Sequence, residues 1–149
     1  MTTEVPRLRK GRDASASLFD ASAIVNLLIS RGNRIIDLLT GKWALDLTVY
    51  EVGNAVWKLN VIHRKISSSE ADIILESLLG IAADRMKLIP SAEIDRFSTM
   101  SLAREEKLTF YDASYLSVAI ERDMLLVTDD KNLYDTAKKY VKVKTSTAI

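Results

Sequence analysis

The sequence predicts an α/β fold: three layers, α/β/α, built on a parallel sheet of four to five strands. Three observations carry this. Short apolar runs recur along the chain, "SLF" at 17–19, "ALDL" at 44–47, "MKLIP" at 86–90 and "MLLVT" at 124–128. Stretches with helical spacing of apolar residues separate them. Each such stretch is long enough for a right-handed crossover, which makes the strands parallel and covers both faces of the sheet.

Each element has its own signal. Residues 1–16 are polar and aperiodic, with Pro6 and Gly11, and are expected to form a flexible leader before a single domain over 17–149. After "SLF" a helix runs to about Ser30, and a short one covers about 33–40 until Gly41 breaks it. "ALDL" is read as the second strand. From Thr48, Val49, Val52, Val56, Leu59 and Ile62 follow helical spacing. "SSSE" opens the next helix, to Asp84, with Ser67 and Glu70 as a capping box. Pro90 stops the third strand. Helices are expected over about 91–107 and 109–122, then "MLLVT", a helix over about 130–140, and a final edge strand in "VKVK" at 141–144.

Composition excludes several chemistries. The chain has 149 residues, a formal net charge of +1 and no cysteine. One domain is expected at this length. Zinc–thiolate sites, disulfides and cysteine nucleophiles are ruled out. The single His63, beside Arg64 and Lys65 at a helix end, is expected on the surface and cannot build a His-rich metal site. Any bound metal must be a hard cation on oxygen ligands. Basic runs at 7–12 and 138–144 are read first as solvated termini. There is no signal-peptide core, and the run at 18–29 is too short to span a bilayer. A cytoplasmic location is therefore expected, with no membrane association.

The acids are what point to function. In a parallel sheet, ligands bind outside the carboxyl ends of the strands. Asp20 directly follows the first strand, and Asp129 and Asp130 directly follow "MLLVT". Glu51 lies one turn into the helix after the second strand, and Asp112 opens the helix before "MLLVT". Each has a bland explanation, since acids cap helix N-termini. Thr48–Glu51 and Thr109–Asp112 resemble capping boxes, and Asp20 and Asp130 suit N-caps. Together, though, they would repel one another at one edge unless a cation compensates. Oxygen ligands without His or Cys select Mg²⁺ or Mn²⁺, ions that assist phosphodiester hydrolysis. "DAS" also occurs at 13–15, within the leader, and carries no such placement.

At these residues the chain resembles a known family. "LFDASAIVNLL", "TVYEVGNAVWK", "FYDASYLSVAIE" and "LLVTDDKNL" are similar to the four acidic motifs of PIN-domain nucleases, above all the VapC-type toxins of toxin–antitoxin pairs. The likeness covers about 17–144, in order. It implies that Asp20, Glu51 and Asp112 are the first three site acids, with Asp20 and Asp112 binding the principal Mg²⁺ or Mn²⁺. The fourth acid of the family follows a Thr or Ser by two positions, which fits Thr128, Asp130 and Leu133 better than Asp129. Thr128 would support the site. Asn54, one turn beyond Glu51, either orients carboxylates or is simply exposed. The resemblance further implies an endoribonuclease leaving a 5′-phosphate and a 3′-hydroxyl, a homodimer, and a small VapB-type antitoxin that inhibits it. Two departures stand out: the long leader and the doubled acid at 129–130. The alternative is a non-catalytic regulator on the same fold. A phosphoacceptor receiver domain is excluded, because too few residues follow "LLVTDD".

Overall fold

The computed structural model describes residues 16–149. The expected leader, with the basic run at 7–12 and the first "DAS", lies outside the described residues except for Ala16. That residue already belongs to the sheet, since its carbonyl accepts from Leu125 N at 3.0 Å.

Five strands alternate with helices. In chain order they are β1 (Ser17–Phe19), α1 (Ala21–Arg31), α2 (Ile35–Leu39), β2 (Trp43–Leu45), α3 (Leu47–Trp57), α4 (Ser68–Asp84), β3 (Lys87–Ile89), α5 (Arg96–Glu106), α6 (Phe110–Arg122), β4 (Leu125–Val127), α7 (Lys131–Ala137) and β5 (Val143–Lys144). The sheet order is β3-β2-β1-β4-β5. All four pairings are parallel, with Leu18 opposite Leu126 and Ala44 opposite Leu88.

Period-2 alternation along a strand sends neighbouring side chains to opposite faces. Phe19, Ala44 and Val127 join one core with α1 to α4. Leu18, Leu45 and Leu126 join the other with α6, α7 and partly buried residues of α5. These strands are apolar on both faces because both are covered. Ala113 to Ala119 of α6 are all buried, so the middle of this helix is enclosed on every side. Asp112 sits at its mouth.

Several boundaries differ from the sequence reading, each for a local reason. The second strand is Trp43–Leu45, not 44–47, because Asp46 and Leu47 already turn into α3. Thr48 is not a cap: it is helical and buried, and its hydroxyl accepts from Leu45 N at 3.1 Å. The helix over 48–62 ends as a π turn, Lys58–Ile62, closed by His63 N donating to Lys58 O at 2.8 Å. The helix expected over 91–107 is two pieces. A 3-10 turn, Ser91–Glu93, is followed by a fresh start at α5, where Asp95 accepts from Phe97 N and Ser98 N. The last helix stops at Ala137 rather than 140. The Ser67–Glu70 capping box is present in full.

Gly41 adopts φ 76°, a left-handed conformation that residues with a Cβ rarely adopt. The turn it makes is pinned by Gly41 N donating to Arg85 O at 2.8 Å. His63 is exposed, as expected. In the basic run at 138–144, Lys138 pairs with Asp135 and Lys139 with Glu106, so these charges are spent on the protein's own surface. Among the described residues no helix is long and apolar enough to cross a membrane.

Candidate acidic site at the carboxyl edge of the sheet

The two central strands end together, with Asp20 N donating to Val127 O at 3.1 Å. Asp20 then caps α1. Its Oδ1 accepts from Ala23 N at 2.9 Å and Ser22 Oγ at 2.7 Å, and its Oδ2 from Thr128 Oγ1. Only 4% of Asp20 is exposed. That burial pushes its pKa up, and the three hydrogen bonds pull against it.

Thr128 is fully buried and serves two acids. It donates to Asp20, and its Oγ1 accepts from Asp130 N at 3.1 Å. Asp130 caps α7, its Oδ1 accepting from Leu133 N at 2.8 Å. The opening residue of the last helix is thus set by the same hydroxyl that holds Asp20.

Asp112 lies half-buried in the first turn of α6, where its N–H donates to Thr109 Oγ1 at 3.1 Å. Burial, then the negative charges of Asp130 and Asp20, push its carboxyl up to about 6. Glu51, half-buried on α3, accepts from Tyr115 OH at 2.7 Å. Burial raises its pKa, and the charges of Asp20 and Asp112 add to it. Asp20, Glu51, Asp112 and Asp130 therefore share one electrostatic neighbourhood.

Asp129 lies near enough for its charge to raise the pKa of Asp20, but its carboxylate is held by other donors. Its Oδ2 accepts from Asn26 Nδ2 at 2.8 Å and Ser146 Oγ at 2.5 Å, and its Oδ1 from Ser146 N at 2.8 Å. Its own N–H donates to Ser22 Oγ at 3.0 Å. Three donors occupy this carboxylate and fasten α1 to the C-terminal turn Ser146–Ala148. Asn54 is exposed on α3.

The donor set suits a hard cation, being all oxygen. Among the described residues, however, no three of these groups stand close enough to hold an ion as a ready-made cage. Mg²⁺ does not need one: it keeps several waters and is commonly held through one or two carboxylates. The residues fit a cation that keeps several of its waters, and the pKa values of Asp20, Glu51 and Asp112 are raised first by burial, with the charge of neighbouring acids adding to it.

Sequence reasoning missed four residues here. Tyr115 is buried between Thr48 Oγ1, at 2.6 Å, and Glu51. Its place three residues after Asp112, on the same helix face, was an available signal. Ser22, two residues after Asp20, was another, since Ser and Asp form such local bonds. Asn26 and Ser146 gave none, as they meet Asp129 only through tertiary packing.

A parallel α/β sheet with acids gathered at its carboxyl edge belongs to the class of folds that bind ligands at that edge, and the comparisons are specific within it. Residues 17–139 match the PIN domain family, and the chain belongs to that family. It is 36% identical over 101 residues to "Exonuclease VapC9" of Pyrobaculum aerophilum, covering 68% of this chain and 71% of that one. It is 30% identical over 119 residues to "Ribonuclease VapC3" of the same organism, covering 76% and 88%. The crystal structure of PAE2754 from Pyrobaculum aerophilum superposes with a TM-score of 0.74 at 30% identity, covering 99% of this chain and 94% of that one.

Proposed function

We propose that this protein is a Mg²⁺- or Mn²⁺-dependent endoribonuclease of the VapC toxin type, acting in the cytoplasm. The observation that carries the reading is the meeting of Asp20, Glu51, Asp112 and Asp130 in one neighbourhood, where burial and the charge of neighbouring acids raise the pKa values of Asp20, Glu51 and Asp112. The VapC-named relatives support nuclease chemistry.

In this reading Asp20 and Asp112 hold the cation, and Glu51 and Asp130 complete the site directly or through waters. The bound cation supplies the positive charge that acidifies a water and offsets the leaving oxygen. The protein's own work is placement. Thr128 holds Oδ2 of Asp20 and the start of α7. Tyr115 fixes Glu51. Asp129 braces the frame rather than joining the site. The products would carry a 5′-phosphate and a 3′-hydroxyl. The working unit is a homodimer, restrained by a small VapB-type antitoxin. A basic side chain of that partner placed among the acids would meet strong attraction.

Purified protein is incubated with linear and circular RNA in Mg²⁺, Mn²⁺ and EDTA, beside Asp112→Asn. The expected result is metal-dependent cutting of both RNAs, absent in the variant. Cutting of linear RNA alone would replace an endonuclease with an exonuclease. A non-catalytic regulator would cut neither while still binding its partner.

A further inference from the structure

Four acids at one edge repel the phosphates they are proposed to cleave, so the substrate needs a hold elsewhere. A groove at the start of α6 offers such a hold. Arg96, Phe97, Met100, Ser101, Arg104 and Phe110 line a groove of about 430 Å³ between α5 and the start of α6. Phe110 and Asp112 both belong to the first turn of α6, so the groove and the acids share that end of the helix. Its volume lies within the range of small-molecule and cofactor sites.

Its chemistry is specific. Phe97 is 80% exposed, which is unusual for a large aromatic side chain. Met100 and Phe110 are also exposed. Neither Arg96 nor Arg104 takes part in an ion pair among the described residues. Two unpaired guanidinium groups beside exposed aromatic faces match a nucleotide: the arginines suit its phosphates and the rings its base. Tyr50 and Tyr111, sequence neighbours of Glu51 and Asp112, are exposed as well.

We infer that this groove is a binding site for single-stranded RNA, seating a nucleotide of the strand that the acids cleave. Phe97 and Phe110 stack on its base, and Arg96 and Arg104 neutralise the flanking phosphates. This rests on the reading of the protein as a ribonuclease. A second copy of the chain is the rival occupant. A two-fold contact would set this patch against itself. That would bring the arginines of both copies together in a groove lined by no acid.

The test measures fluorescence anisotropy of a fluorescein-labelled, mixed-sequence 12-nucleotide RNA in Mg²⁺, on an Asp112→Asn background so that binding is read without cleavage. Phe97→Ala is expected to weaken binding about 5- to 150-fold, the range for one lost stacked base. Phe97→Tyr should keep most of the affinity. Arg96→Ala and Arg104→Ala should each weaken binding and lower the slope of log affinity against log salt by about 0.7. Affinity and slope unchanged in all variants would overturn the inference, as would no binding by the Asp112→Asn parent. Sedimentation run alongside reads the rival: if Phe97→Ala breaks up an oligomer while RNA affinity holds, the groove seats a second copy and the inference fails. The two readings fail differently. If the chain with Asp112 cleaves RNA and Phe97→Ala leaves its KM unchanged, the groove is wrong and the nuclease stands. If the groove variants lose RNA but no form of the protein cleaves, the groove stands and the nuclease is wrong.

Discussion

Removing a half-buried charge from a candidate site usually harms a protein, but Asp112→Asn should stabilise this one when metal is absent. Burial and the neighbouring acids push Asp112 from 3.8 up to about 6. Fully buried, a shift of about two units would correspond to roughly 3 kcal/mol against the charged form. Asp112 is only half-buried, so solvent screening reduces this to about 1.5 kcal/mol. The variant also loses a negative charge at the start of α6, worth about 0.5 kcal/mol. The net gain is about 1 kcal/mol near neutral pH, or about 2–4 °C in Tm for a domain of this size. The sign follows from linkage. A carboxyl with a raised folded pKa stabilises the fold fully below its ordinary value, and that stability is lost as pH rises through about 6. The advantage of Asp112→Asn should therefore shrink on going from pH 7.5 to pH 5. Thermal melts in EDTA at both values measure it. A variant that melts several degrees lower at pH 7.5, or whose offset ignores pH, would mean that Asp112 acts as a helix cap and not as an uncompensated charge.

Other outcomes follow from the same geometry. Mg²⁺ or Mn²⁺ should raise the Tm of the unaltered protein and leave Asp112→Asn nearly unmoved, and the rise should fade below about pH 6 as Asp112 takes up a proton, which a melt series across pH would show. Thr128→Val removes the donor to Asp20 and the acceptor for Asp130 N, and should cost about 1–3 kcal/mol in denaturant titration and most of the cleavage activity. Tyr115→Phe should cost about 1–2 kcal/mol and lower kcat more than it alters KM, since it frees Glu51 without removing it. Ser67→Ala, at a cap remote from the acids, should cost about 1 kcal/mol and leave cleavage untouched.

The fold was legible because its signals are local. Apolar triplets between helical stretches survive as β1 to β4, and even the two-residue β5 was marked by "VKVK". Boundaries slipped where tertiary contacts decide them. Thr48 looks like a cap in sequence, yet Tyr115, far along the chain, claims its hydroxyl and draws it into the helix. Asp95 reads as one more polar residue until it restarts α5. The site was half legible. Position after a strand marked Asp20 and Asp130, and helical spacing marked Glu51 and Asp112. The doubled acid at 129–130 did not separate by spacing alone. It separates in three dimensions, where Asn26 and Ser146 take Asp129 and leave Asp130 to cap α7.

The double employment of two of these acids bears on how such a site is inherited. Asp20 and Asp130 each accept a backbone N–H at the start of a helix, so selection for folding alone preserves them. Glu51 and Asp112 accept no backbone bond of that kind and sit at a disadvantage without a cation. A descendant that abandoned catalysis would shed Glu51 and Asp112 first and keep Asp20 and Asp130 long afterwards. In comparing relatives of this chain, the pair that reports a living enzyme is the second pair, and the first reports only an intact fold.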